Sequence, residues 1–254
     1  MRLFDFGQTK MLPDLPYEQL LAAIDAVVND LLSTAGIDSP PVDSLALART
    51  LEIDVARDDR QMGRARFVRL AGRHGGRSRA SILVRAEPRG ERRQWAVAHE
   101  LGEWSAARVF AELGTTAREA PPAARESVAN LFAARLLLPE HWFTVAAEAC
   151  EMDLALLKES FNTVSHELIA RRTLDLSAPA IVTVFDQGAL TWRRANVTQS
   201  PPALTDDERQ AWREAHELAD VAECDSPAGR IRCWPIHEEA WRREILRYDL
   251  AVEL

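Results

Sequence analysis

The first clear hydrophobic pattern in the chain predicts an amphipathic helix over residues 17–32. Its apolar positions recur three and four residues apart, which places them on one face of a helix. They are Leu20, Leu21, Ile24, Val27, Val28, Leu31 and Leu32. A proline-containing break at residues 39–41 follows, and Asp43 is a suitable N-cap for a short second helix ending near Leu51.

Short strands are predicted next, because apolar and polar residues partly alternate there. The strand segments are 53–56, 67–70 and 81–85, and a glycine-rich loop at residues 72–76 separates the last two. Arginines occupy many of the alternate positions. This arrangement is typical of a sheet that has one exposed face.

The middle of the chain returns to helical periodicity. Helices are predicted over residues 92–110 and 123–138, and Pro139 ends the second of them. Two shorter helices are predicted at 153–160 and 165–174.

Beyond Pro179 the pattern predicts a mixed segment. It contains a hairpin with strands at 181–185 and 189–193, a helix at 205–219, a strand at 231–234 and a helix that begins at His237. Strands and helices occur in separate groups along the chain, so we expect an α+β fold. Residues 231–245 interleave aromatic and charged side chains, which indicates either a binding segment or a tryptophan-rich core.

Composition narrows the class of protein. With 254 residues, 47% of them apolar and 28% charged, the chain is neither disordered, collagen-like nor a disulfide miniprotein. Cys150, Cys224 and Cys233 have unrelated spacings, which suggest neither a disulfide framework nor a cysteine zinc site. Neither a membrane-spanning stretch nor a signal-peptide core is recognisable, so we expect a cytoplasmic protein with no membrane partner.

Charge is distributed unevenly along the chain. The net charge of −8 argues against a protein that coats nucleic acid. Residues 57–93 nevertheless hold twelve arginines against four acidic residues. An arginine-lined cleft would favour an acidic peptide or an anion. Arginines on an edge strand also prevent aggregation, and that is their commoner role.

The candidate chemistry lies on the predicted helix 92–110. Four residues separate His99 from Glu103, so both side chains share one helix face, and Glu100 lies beside them. In the zincin pattern His-Glu-x-x-His, two histidines at this spacing bind zinc and the glutamate acts as general base. Glutamate occupies the fifth position here, so the strict pattern is not met.

Three motifs in order resemble the ImmA/IrrE family of metallopeptidases. They are Ala-His-Glu-Leu-Gly-Glu at 98–103, Glu-Ser-Val-Ala-Asn-Leu-Phe-Ala at 126–133, and Phe-Asn-Thr-Val-Ser at 161–165 leading into Arg-Arg-Thr-Leu at 171–174. The resemblance covers about residues 43–175. It implies a zincin-like domain, assigned to residues 1–178, with a helix-turn-helix-like segment at 153–175. Residues 179–254 resemble no known family, and their pattern predicts a small αβ extension.

The resemblance also implies roles for individual residues. His99 and Glu126 would be metal ligands, Glu100 the general base, and Glu103 stands where the family has its second histidine. Zinc is the expected cofactor. Oxygen-rich ligation would also suit manganese or iron, and a protein without metal is a further alternative. His141 and His166 are further candidates to approach the site, although a surface role is commoner for such residues.

Several functions remain open at this point. An active endopeptidase would use Glu103 as a ligand, and by family resemblance its substrate would be a helix-turn-helix repressor in a stress or mobile-element response. An inactive relative would keep the scaffold for binding or sensing, and a chance resemblance would leave these residues with no shared role. A DNA-binding regulator is the third class, but its second short helix offers only Arg171 and Arg172 as basic residues, with Glu167 on the same helix.

Overall fold

The structure is a computed structural model that describes residues 16–60, 63–70, 79–197 and 200–251. Helices and strands form separate groups, which confirms the α+β fold. By internal contacts the chain divides into two compact units. One holds the residues up to Ala146 with Ser160–Ser165, and the other holds Ala147–Glu159 with the residues from His166 onward. Compactness does not test independent folding, so the predicted boundary between residues 178 and 179 stays a prediction.

The helices of the first unit follow the predicted pattern with one addition. They are α1 (Tyr17–Thr34), α2 (Ser44–Thr50), α3 (Gly90–Glu112), α4 (Pro122–Leu137) and α5 (Glu140–Ala149), whose last residues belong to the second unit. The predicted apolar face of α1 is buried almost completely, including Ile24 and Val28. The helix α5, which begins directly after Pro139, was not predicted from the sequence.

A capping interaction connects α2 to the start of α3. The side chain of Asp43 accepts hydrogen bonds from the backbone N–H groups of Leu45 and Ala46, which confirms it as the N-cap. Gln94 of α3 donates its side-chain amide to Asp43 at 3.0 Å and accepts the N–H of Ser44 at 2.7 Å. The N-terminal part of the motif-bearing helix is therefore anchored by side-chain hydrogen bonds.

The sheet of the first unit has the order β1-β3-β2. Its strands are β1 (Asp54–Arg57), β2 (Ala65–Leu70) and β3 (Arg79–Val84), which confirms the three predicted strands. β1 runs parallel to β3, and β2 runs antiparallel to it. Within the described residues β2 thus has a partner strand on one side only. The predicted loop at residues 72–76 lies outside the described residues.

The second unit contains two short helices, a longer helix and a five-stranded sheet. Its elements are α6 (Leu154–Ser160), α7 (His166–Arg172), β4 (Ala180–Asp186), β5 (Ala189–Ala195), α8 (Asp206–Leu218), β6 (Ala222–Ser226), β7 (Gly229–Glu238) and β8 (Trp241–Leu250). A 3-10 turn at Thr173–Asp175 follows α7. The sheet order is β5-β4-β8-β7-β6, with every pair antiparallel.

The predicted helix starting at His237 is wrong. β7 continues through this histidine, and β8 follows after a tight turn. β8 pairs with β4 on one side and with β7 on the other. Ladder bonding on both edges, with buried Ile245 and Leu246, outweighs the helical propensity of its arginines and glutamate. The β4–β5 hairpin and the strand at 231–234 are confirmed, whereas β6 was not predicted.

The core of the second unit lies between α8 and its sheet. Ala211 and Ala215 of α8 pack with Ile231 and Leu246 of the strands. α8 begins with a capping box in which Thr205 and Glu208 exchange hydrogen bonds. Across the described parts of both units, each helix is too short or too polar to span a bilayer.

Candidate metal centre

A close approach of α3 and α4 creates the candidate site. A Cβ atom placed on Gly102 would lie 2.8 Å from the carbonyl oxygen of Ala129 and 2.9 Å from its Cα. Only a residue without a side chain tolerates such a contact. Gly102 therefore lets the backbones of the two motif-bearing helices approach at the level of the proposed ligands.

Three of the residues selected from the sequence converge at this crossing. One ligand atom each of His99, Glu103 and Glu126 lies within 4.8 Å of the other two. The Nε2 atom of His99 is 3.7 Å from a carboxylate oxygen of Glu126. His99 is mostly buried, with 18% of its side chain exposed, whereas both glutamates are exposed. The cluster thus opens toward solvent on its carboxylate side.

Asn130, which was not predicted as a site residue, links two of these side chains. Its Oδ1 atom lies 3.0 Å from Nδ1 of His99, and its Nδ2 atom donates to Glu126 at 3.1 Å. Because an amide oxygen only accepts hydrogen bonds, this contact places a proton on Nδ1 of His99, and the neutral imidazole would then offer its Nε2 lone pair to a metal. Asn130 follows Glu126 by four residues on α4, and this spacing was the available signal.

Glu100 lies on the sheet side of the site. One of its carboxylate oxygens accepts the backbone N–H of Phe67 on β2 at 2.6 Å. Burial raises the pKa of Glu100, and the negative charges of Glu103 and Glu126 add to this effect. The Phe67 N–H and His99 oppose the rise without cancelling it.

One open cleft of about 530 Å³ is lined by the proposed site residues His99, Glu100, Glu103 and Glu126. Its other lining residues come from β2 and α3: Ala65, Arg66, Phe67, Arg69 and Trp104. Arg66 and Arg69 are exposed, so two cations face the same cleft as the acidic cluster. His141 and His166 are not among the described residues that line it.

The donor set suits a divalent metal ion. One imidazole nitrogen and two carboxylates are ligands that zinc accepts, and the open side leaves room for water or substrate. The two carboxylates would neutralise the ion's formal charge, and hard oxygen donors also suit manganese or iron. The described residues therefore fit a metal centre without fixing which metal occupies it.

The helix-turn-helix-like segment presents little positive charge to solvent. Arg171 and Arg172 of α7 are buried. Arg171 forms an ion pair with Glu167 at 2.6 Å, and Arg172 pairs with Asp175 at 2.5 Å. The basic residues that a DNA reader would require are thus engaged within the protein.

Comparisons with known proteins agree with this architecture. Residues 53–174 match the Peptidase M78 family, described as the IrrE N-terminal-like domain. No curated protein matches the chain. One solved structure, a Mycobacterium tuberculosis transcriptional regulator, is similar in fold, with a TM-score of 0.63 and 16% sequence identity over 92% of this chain and 81% of that chain. Residues 53–174 therefore form an IrrE N-terminal-like domain of the Peptidase M78 family, with a metallopeptidase-type fold.

Proposed function

We propose that this protein is a metal-dependent endopeptidase whose substrate is a helix-turn-helix transcriptional repressor in a stress or mobile-element response. The observation that supports it most is the convergence of His99, Glu103 and Glu126 beside Glu100 in one open cleft. The matching family supplies the reaction class. The repressor as substrate rests on the resemblance to ImmA/IrrE proteins.

In this proposal Nε2 of His99 and the carboxylates of Glu103 and Glu126 hold the metal, with zinc expected and manganese or iron as competitors. A bound divalent ion activates water and polarises the scissile carbonyl. Asn130 orients two of the three ligands through the hydrogen bonds described above. It acts as a positioning residue and does not touch the substrate.

Glu100 acts as the general base and acid of the reaction. It takes a proton from water during attack on the carbonyl carbon and delivers it to the departing amine nitrogen. Burial raises the pKa of Glu100, which makes its carboxylate a stronger base toward water. The N–H of Phe67 holds one carboxylate oxygen in place.

Within the described residues the edge of β2 away from β3 has no partner strand, and apart from the Phe67 N–H that Glu100 accepts, it is the proposed position of the substrate backbone. An extended peptide binds a sheet edge through main-chain hydrogen bonds. Because Arg66 and Arg69 line the same cleft, acidic side chains close to the cleaved bond are expected to be preferred. In this reading the arginines select the substrate, beyond protecting the edge from aggregation.

Two rival functions remain distinguishable. A binding or sensor protein on this scaffold would keep the cleft but lack hydrolysis. A DNA-binding regulator would need cations on α7, and the ion pairs of Arg171 and Arg172 weigh against that reading.

The test is peptide cleavage by the metal-loaded full chain. A peptide library that varies acidic residues near its centre is incubated with the zinc- or manganese-loaded protein, and the products are sequenced. Glu100→Gln is expected to lower cleavage by at least about 100-fold while the bound metal is retained. Glu112→Gln, at the exposed end of α3, is the matched control and should cleave normally.

Each rival predicts another result. Stoichiometric metal without cleavage of any peptide would favour the sensor reading. Binding to duplex DNA that weakens steeply with salt would favour the regulator.

A further inference from the structure

A second group of metal-ligating side chains lies in the second unit, outside residues 53–174. His216, His237 and Glu244 each offer one ligand atom, and these atoms lie within 4.8 Å of one another. The three residues come from α8, β7 and β8 respectively. None of them takes part in the proposed peptidase chemistry.

The sheet register brings two of these residues together. His237 pairs with Arg242, and Glu244 pairs with Pro235, across the β7–β8 ladder. His237 and Glu244 are therefore diagonal neighbours on one face of the sheet, because strand residues two apart share a face. α8 packs on the same two strands, and its last turn carries His216.

The two histidines meet at one carboxylate oxygen. Nδ1 of His216 lies 2.8 Å from Oε1 of Glu244, and Nε2 of His237 lies 2.6 Å from the same atom. The other oxygen, Oε2, accepts the indole N–H of Trp212 at 3.2 Å. Trp212 is itself stacked on Phe185, with 4.8 Å between ring centroids. The carboxylate is thus held in a defined orientation.

Among the described residues, the charge of Glu244 lacks a permanent counter-ion. Its side chain is 0% exposed, yet no arginine or lysine among the described residues pairs with it. Glu208 in the same unit is equally buried and has Arg193 at 2.8 Å. A buried carboxylate is costly unless a positive charge compensates it. In this cluster, that charge must come from a histidine proton or from a cation.

We propose that His216, His237 and Glu244 bind a zinc ion in the second unit. Two imidazole nitrogens and a glutamate oxygen form a known zinc ligand set, which leaves a fourth position for water. His216 is 30% exposed and His237 16% exposed, so an ion reaches the cluster from solvent.

The ion requires only a small rearrangement of the ligands. Ligand atoms around tetrahedral zinc lie about 3.3 Å apart, so the two nitrogens must withdraw from Oε1 by roughly 0.5–0.7 Å. Trp212 would then be the outer partner that orients the carboxylate. The ion would connect the end of α8 to the β7–β8 hairpin.

Zinc binding is measured on the full chain after the first site is disabled by His99→Ala together with Glu126→Gln. This parent chain is expected to bind one equivalent of zinc. Cobalt, added as a spectroscopic substitute, should give visible absorption bands typical of a four-coordinate site. Adding His237→Gln should weaken binding by more than about 100-fold, beyond the loss caused by an outer partner alone. His141→Gln, which alters an exposed histidine of α5, is the matched control and should bind as the parent does.

Two results would overturn the proposal. If the parent chain takes up no zinc at concentrations up to about 100 μM, the cluster is only a hydrogen-bonded trio. If zinc binding survives in both His237→Gln and His216→Gln, the ion lies elsewhere. Should either variant fail to fold, ¹⁵N spectra of the parent chain decide, because zinc must shift the ring signals of two histidines and leave the others unchanged. The parent lacks the first site, so failure here is separate from failure of the peptidase proposal.

Discussion

Nδ1 of His99 on α3 lies 3.0 Å from the side-chain oxygen of Asn130 on α4. This hydrogen bond orients the imidazole ring so that Nε2 faces Glu126, to which Asn130 also donates. One buried amide therefore orients two proposed ligands on two helices. Residues that hydrogen-bond to metal ligands commonly affect the affinity for the metal as well as the orientation of the ligands.

Replacing Asn130 by alanine is expected to weaken zinc binding at the first site by about 10- to 100-fold, because His99 and Glu126 lose their shared support. Affinity is measured by chelator competition in a chain that also carries His237→Gln, so that only the first site titrates. Arg125→Ala, on the exposed face of α4, is the control. An unchanged affinity in a folded Asn130→Ala chain would remove Asn130 from this role.

Glu103 is expected to determine metal preference. Glu103→His replaces a hard oxygen donor by imidazole, and the ratio of zinc to manganese affinity should rise by about tenfold or more. Glu103→Gln should weaken both metals, since it removes a charged ligand from the set. Competition between the two ions, with Glu112→Gln as control, measures the effect. If Glu103→His and Glu103→Gln both bind zinc and manganese as tightly as the control does, Glu103 is not a ligand.

Gly102 is expected to be essential for the crossing of α3 and α4. Gly102→Ala forces a methyl group against the backbone of Ala129 and should lower the free energy of unfolding by about 1–3 kcal/mol. Gly90→Ala, in the exposed first turn of the same helix, meets no atom within 4 Å and should be neutral or slightly stabilising. Urea denaturation of both variants compares them, and equal stabilities would argue against the close approach.

Asp43 should give part of the stability a pH dependence. Burial raises the pKa of Asp43, but hydrogen bonds from Gln94, Ala46 and Leu45 outweigh it, so the pKa lies below its usual value. A lowered folded pKa contributes stability that is complete above the unfolded pKa and is lost as pH falls through the folded pKa. Asp43→Asn keeps a capping oxygen without the charge.

The comparison for Asp43 is a pair of unfolding curves. Wild type should be more stable than Asp43→Asn near pH 6, and the difference should shrink between about pH 5 and pH 2. A difference that stays constant across this range would contradict the assigned cause of the shift.

The elements that depend on local pattern were predictable from the sequence. The amphipathic α1, the capped α2 and the strands of the first sheet follow from periodicity and turn residues. Convergence of His99, Glu103 and Glu126 agrees with the expectation from spacing and family resemblance, whereas their roles as ligands stay predictions.

Features that depend on pairing between distant segments could not be predicted from the sequence. β8 lies between β4 and β7, so non-local ladder bonds decide its conformation against a helical composition. The bridge from Asn130 to His99 depends on how α3 and α4 cross. His216 and Glu244 are 28 residues apart in the chain and meet only because α8 packs on the sheet.

Anomalous scattering at the zinc edge, from crystals of the full chain grown with zinc, tests the central claim most directly. We predict a peak about 2.0–2.2 Å from Nε2 of His99 and from carboxylate oxygens of Glu103 and Glu126. Zinc bound in the crystal with no peak among these three side chains would contradict it.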